Sequence, residues 1–154
     1  MAQSAQYVTL GIAGELLAMP VERVREILEL QPVARLPGAP SHLLGMIDVR
    51  GQGVPVLDLR LKLGFMPAED DGDTRVMVIT ATVAGADTVI GVKVDRVHEV
   101  TVLDSDRLEP PPGAAAGWRA ETIAGIGRRN GKFVTVLDFE RVFGTDDMAV
   151  FDLA

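Results

Sequence analysis

Gly45-Met46-Ile47-Asp48-Val49-Arg50-Gly51-Gln52-Gly53-Val54-Pro55-Val56-Leu57-Asp58 is a passage that the chain contains in two versions. Extended to Gly64, it returns eighty residues later as Gly125 to Gly144, with identities at Gly45/Gly125, Gly51/Gly131, Val54/Val134, Val56/Val136, Leu57/Leu137, Asp58/Asp138 and Gly64/Gly144. Seven matches in twenty positions stand against about one expected from ordinary residue usage. An earlier segment, Val21-Glu22-Arg23-Val24-Arg25-Glu26-Ile27, returns as Val94-Asp95-Arg96-Val97-His98-Glu99-Val100. Both segments recur in the same order, so the chain reads as two similar lobes, and function is sought on the surfaces and the groove that paired lobes create.

Short runs rich in Val, Ile and Leu, separated by Gly or Pro, predict strands. Tyr7 to Ile12, Leu16 to Met19, Val24 to Leu30, Leu44 to Val49 and Val54 to Leu59 suggest one small five-stranded barrel. Val76 to Val83, Thr88 to Val94, Val97 to Leu103, Ile123 to Gly127 and Phe133 to Phe139 suggest a second. The expected lobes cover residues 15–75, joined by a C-terminal helix over Gly144 to Leu153, and residues 76–143, within a single domain spanning 1–154. Pro55 predicts that its strand lies at a sheet edge or meets a bulge, because proline cannot donate to the ladder. A short helix is expected around Ser41 to Leu44, and the Pro110-Pro111-Pro112 run predicts a surface excursion.

At 154 residues the chain can bury a sizeable core, while each lobe alone is near the lower end of independent stability. It has no cysteine, so disulfides and thiolate metal sites are excluded. Its formal charge of −7 and pI near 4.8 work against phosphate-backbone binding, and no nucleic-acid partner is expected. The opening Met1 to Gln6 lacks a basic and apolar leader, and no run is long enough to span a bilayer, so a cytoplasmic protein without direct membrane insertion is expected.

Candidate chemistry is sparse. Asp58 and Asp138 each follow an apolar strand and precede a glycine by six residues, the arrangement of a helix N-cap followed by a left-handed C-terminal glycine. Capping explains them better than acid–base catalysis. His42 and His98 sit in no ligand spacing, no serine stands in a nucleophile elbow, and the acidic run Glu69 to Asp73 lacks the alternating ligands of a calcium loop. No catalytic residue, metal or cofactor is expected. A carboxylate-dependent enzyme remains only as a remote alternative.

Gly45-Met46-Ile47-Asp48-Val49-Arg50-Gly51, followed by Val54-Pro55-Val56-Leu57-Asp58-Leu59-Arg60, strongly resembles the signature of the CheW family, the coupling proteins of bacterial chemotaxis. The likeness extends to the strand from Tyr7, the Val24 to Ile27 element, Ile90 to Asp95 and Val136-Leu137-Asp138. The resemblance implies a mainly all-β fold of two intertwined SH3-like five-stranded barrels with short helices. It also implies a non-enzymatic scaffold that joins the cytoplasmic tip of methyl-accepting chemoreceptors to the regulatory domain of a CheA-type histidine kinase, at membrane-associated receptor arrays. An adaptor of pilus motility or another chemosensory pathway is the alternative. The family's contact region carries over to Val24, Glu26, Ile27, Gly45 and Arg50, and to Val92 and Val97 from the second lobe, with Arg50 and Glu26 supplying polar specificity. The chain departs from the pattern at Gln52-Gly53, where relatives commonly carry a bulky apolar residue, and at Asp48, where Asn is frequent.

Overall fold

The computed structural model describes residues 4–83, 85–111, 122–139 and 141–142. The expected C-terminal helix lies outside them. Among the described residues ten strands form in chain order: β1 (Gln6–Ile12), β2 (Glu15–Pro20), β3 (Val24–Glu29), β4 (Leu43–Val49), β5 (Gln52–Asp58), β6 (Arg75–Val83), β7 (Ala86–Val94), β8 (Arg96–Val102), β9 (Ile123–Arg129) and β10 (Lys132–Leu137). One helical turn, α1 (Leu59–Lys62), follows β5, and a 3-10 turn (Val21–Arg23) joins β2 to β3. The helix expected around Ser41 is instead a turn closed by Leu43 N–H on Pro40 O at 3.0 Å, from which β4 starts.

There are two five-stranded sheets, but their strands are not consecutive. One has the order β8-β1-β2-β10-β9 and the other β3-β6-β7-β5-β4. The hairpin β1–β2 of the first repeat thus sits among β8, β9 and β10 of the second, and β6–β7 replaces it among β3, β4 and β5. The grouping into successive fives is therefore corrected, and no cut near residue 75 separates the sheets. Connection length gives the reason. On the side of β6, the strand two places from β7 runs parallel to it, since β3 is antiparallel to β6 and β6 to β7. A parallel return needs a dozen or more residues, whereas only Asp95 lies between β7 and β8. One residue is also too short for a hairpin, so the chain passes straight into the other sheet; between β2 and β3 the 3-10 turn Val21–Arg23 makes the corresponding crossing.

Both sheets close through the segment after their first edge strand. Ala34, beyond β3, bridges Met46 on β4; Glu109, beyond β8, bridges Ile126 on β9. Repeated glycines admit these segments. A Cβ on Gly45 would stand 2.1 Å from Ala34 O, and one on Gly125 would stand 2.7 Å from Leu108 Cβ. At both positions the register shifts, so each glycine also marks a bulge. Pro55 lies on an internal strand, not an edge, but β5 pairs with β7 only from Val56 onward, which spares the ladder the missing N–H.

Each barrel encloses a small apolar cluster, with Val54 and Val56 in one and their repeats Val134 and Val136 in the other. The largest cluster lies between them, where Leu10, Ile12, Leu17 and Met19 pack with Leu57, Leu59, Met77, Ile79 and Ile90. Each such side chain contributes about 1.5–3 kcal/mol on full burial, so most of the folding drive is shared by the two barrels. Replacing Gly45 by alanine is expected to cost about 2–4 kcal/mol, since backbone and not a flexible side chain blocks the methyl. Gly51→Ala, with φ +82 and open space around it, is expected to cost about 1–2 kcal/mol. Urea denaturation of both variants checks the ranking.

Candidate functional site

Arg50 and Glu26 meet. The β4–β5 hairpin turns on Arg50 (φ 52) and Gly51 (φ 82), both left-handed as a two-residue type I′ turn requires. Asp48 Oδ1 accepts the Gly51 N–H at 2.7 Å and fixes the tip. From there Arg50 reaches back to edge strand β3, donating from Nη1 to Glu26 Oε2 at 2.7 Å and from Nη2 to Oε1 at 3.1 Å. The guanidinium side chain is 79% exposed and the carboxylate side chain 23%. A fork of this kind fixes orientation, while its exposure limits its worth to about 0.2–1 kcal/mol of stability. It is a charged feature held in one place at little cost to the fold.

Ile27 stands beside it on β3, 43% exposed although large and apolar. Val24 and its repeat Val97 are half-buried and pack against the shared core. Two residues of the expected set are corrected. Val92 is 2% exposed inside the largest cluster, because its side of β7 faces the apolar junction between the barrels. Gly45 is covered by Ala34. Neither offers a face to a partner; they shape the fold behind the face.

The second barrel carries a counterpart that the expected set omitted. Val100 repeats Ile27 and is 55% exposed; Glu99 repeats Glu26 and faces Arg129, with Nε to Oε1 at 3.6 Å. Phe133, 61% exposed, stands where the first barrel has Gly53, and the Arg128 guanidinium lies 4.6 Å from its ring centroid. The signal lies in the repeat itself, whose offset carries Glu26-Ile27 onto Glu99-Val100. Here the hairpin tip is held from outside: Asp104 accepts the Asn130 N–H at 2.9 Å and the Gly131 N–H at 3.0 Å. Those amides hold its carboxyl below the usual range, that of Gly131 foremost.

Between the barrels runs an open groove of about 870 Å³, reached by Ile27 and Val97 and lined also by Leu16, Arg96, His98 and Arg129. Beside the barrel junction, Asp95 receives Arg60 at both oxygens (Nε to Oδ1 3.2 Å, Nη2 to Oδ2 2.6 Å) and the Ala13 N–H at 2.8 Å. One carboxylate thereby ties α1 of one barrel to the β1–β2 turn of the other. Burial pushes the Asp95 carboxyl up, yet the Arg60 and Ala13 hydrogen bonds outweigh it and the net shift is downward from 3.8.

The carboxylates that suggested catalysis serve the fold. Asp58 accepts the Leu61 N–H at 3.3 Å as the N-cap of α1, and Gly64 (φ 87) follows the helical turn. The Asp58 N–H donates to His42 O at 2.7 Å, and the repeat has Asp138 N–H on Thr122 O at 2.8 Å. Gly144 lies outside the described residues. Among the described residues no three His, Asp or Glu side chains gather to hold a metal ion, and no helix is long and apolar enough to cross a membrane.

A lowered folded-state pKa means that the Asp95 contribution is present above the unfolded value near 3.8 and is lost as pH falls through the folded value below it. Asp95→Asn is expected to lower the melting temperature at pH 7 and to lose less further stability than wild type between pH 4 and pH 2. Thermal unfolding followed by circular dichroism across that range checks this.

The family model for the CheW-like domain matches residues 6–147. Among curated relatives, a chemotaxis protein CheW from Klebsiella aerogenes is 26% identical over 147 residues, covering 96% of this chain and 86% of the relative. Another chemotaxis protein CheW, from Helicobacter pylori, is 29% identical and covers 92% of this chain and 82% of its own length. Protein FrzA from Myxococcus xanthus is 34% identical, over 84% of this chain and 79% of that protein. The crystal structure of the scaffolding protein TtCheW from Thermoanaerobacter tengcongensis superposes with a TM-score of 0.80 at 26% identity, covering 92% of this chain and 93% of the other.

Proposed function

The chain belongs to the CheW-like domain family and is a chemotaxis coupling adaptor, and we propose that it joins a CheA-type histidine kinase, through the kinase's regulatory domain, to the cytoplasmic tip of methyl-accepting chemoreceptors. The observation that carries this reading is the face built from Glu26, Ile27 and Arg50: an apolar side chain left outside the core beside a charge pair held by two hydrogen bonds. Apolar burial supplies association energy, and a fixed charge pair selects partner and register. This face receives the kinase domain, with Val24 supporting it from behind. The groove between the barrels receives the helical tip of the receptor, a helix-in-groove mode in which Ile27 and Val97 supply apolar contact. Val100, Glu99 and Phe133 give the second barrel a similar face, so one molecule can hold two neighbours.

The adaptor acts without turnover, in the cytoplasm at receptor arrays. Supporting this, the carboxylates best placed for chemistry are occupied: Asp58 by the α1 amide, Asp95 by Arg60 and Ala13.

Titration calorimetry against the regulatory domain of a CheA kinase from the same genome tests the assignment. Arg50→Glu and Glu26→Lys are each expected to weaken binding tenfold or more while changing folding stability by no more than about 1 kcal/mol. The double variant Glu26→Lys/Arg50→Glu restores an internal pair with reversed polarity and is expected to remain weak. Full recovery in the double variant would reduce the pair to a structural brace, and absence of wild-type binding would remove the kinase assignment.

A further inference from the structure

The groove is more basic than the protein that carries it. On a chain of net charge −7, it gathers Arg75, Arg96, Arg129 and Lys132 against Asp73 and Glu99. The state of each cation is informative. Lys132 has no hydrogen-bond or ion-pair partner among the described residues. Arg129 Nε is shielded from solvent without an acceptor, Glu99 standing 3.6 Å away, which is too far for a hydrogen bond. Among the described residues, Arg75 donates only to the carbonyls of Gly72 and Thr74, both at 2.9 Å. Arg96 alone is well paired with a carboxylate, its Nη2 lying 2.7 Å from Asp73 Oδ2.

That pair sits where β7 leaves one sheet and β8 begins in the other. Asp73 falls opposite Arg96 as the continuation of the β6–β7 register, in which Arg75 pairs with Val94. The two side chains are 58% and 52% exposed, so the pair is weak and easily exchanged. We propose that Asp73 is an internal competitor: in the free protein it occupies Arg96, and the groove's occupant, an acidic segment of the receptor tip, displaces it and brings carboxylates to Arg96, Arg129 and Lys132. This rests on the assignment of the groove to the receptor and adds the chemistry of the segment and the residue that tunes its affinity. Charge complementarity carries it. A basic groove attracts an acidic segment, while the net charge of −7 opposes the approach of a second copy of the chain. The apolar floor of Leu16, Ile27 and Val97 requires that the segment also present an apolar side chain.

The test is titration calorimetry of the full chain with a cytoplasmic hairpin fragment of a chemoreceptor from the same genome, at low and at high ionic strength. Asp73→Asn is expected to tighten binding two- to fivefold at low salt, matching the strength of an exposed ion pair. The gain is expected to vanish in an Arg96→Gln background and to shrink at high salt. Asp87→Asn, which removes an equal charge at the far end of the β6–β7 hairpin, is expected to leave binding unchanged, and Asp73→Ser to reproduce Asp73→Asn. Unchanged or weaker binding of Asp73→Asn, or a gain that survives Arg96→Gln, overturns internal competition while receptor binding itself stands. A gain toward the kinase domain in place of the receptor overturns the choice of occupant. Absence of wild-type binding to the receptor fragment removes both the occupant and the groove assignment.

Discussion

Asp95 is all that the chain has between β7 and β8, and the architecture turns on that shortage. With no length to return within its own sheet, the chain crosses to the other, and the three-residue turn from β2 to β3 crosses as well. Each barrel therefore holds a hairpin from the opposite repeat. The exchange moves the largest apolar cluster to the junction, where Leu10, Leu17 and Met19 meet Leu57, Met77 and Ile90. Neither barrel can leave without exposing that cluster, and the groove between them has a fixed shape. Asp95 reinforces the junction it creates, since its carboxylate holds Arg60 from one side and the Ala13 amide from the other.

Charged side chains divide by what they are bonded to. Asp48, Asp58, Asp95 and Asp104 accept backbone N–H groups, at hairpin tips, a helix start and the junction. Such bonds cannot be traded for a partner's without loosening the fold. Glu26–Arg50 and Asp73–Arg96 bind one another at exposed sites, where water and salt weaken them, and Glu99 stands 3.6 Å from Arg129 without a hydrogen bond. Pairs of this second kind can change partners at small cost. Ile27, Val100 and Phe133 stand with them at the surface, so apolar area and exchangeable charge coincide on the same faces.

Local features are legible in the order of residues alone. The repeat announces two similar halves, the Asp58 to Gly64 unit announces a capped turn, and the succession of short apolar runs announces strands. Each is a local property: a cap, a turn and a strand's burial pattern are set by residues within a few positions of one another. The offset of the earlier repeat even contains Glu99 and Val100, although the family motif draws attention to Val92.

A duplicated, mainly β protein, with glycines at Gly45 and Gly125 that serve the backbone, follows from the chain's residues and their spacing. Which hairpin joins which sheet does not, nor that Ala34 closes over Gly45, that Val92 is interior while Ile27 is not, or that Arg50 meets Glu26. All four came from three-dimensional packing, because they depend on strand neighbours distant in the chain. A period-two pattern tells which side chains share a face, and it does not tell whether that face meets solvent, the barrel's own interior or the other barrel.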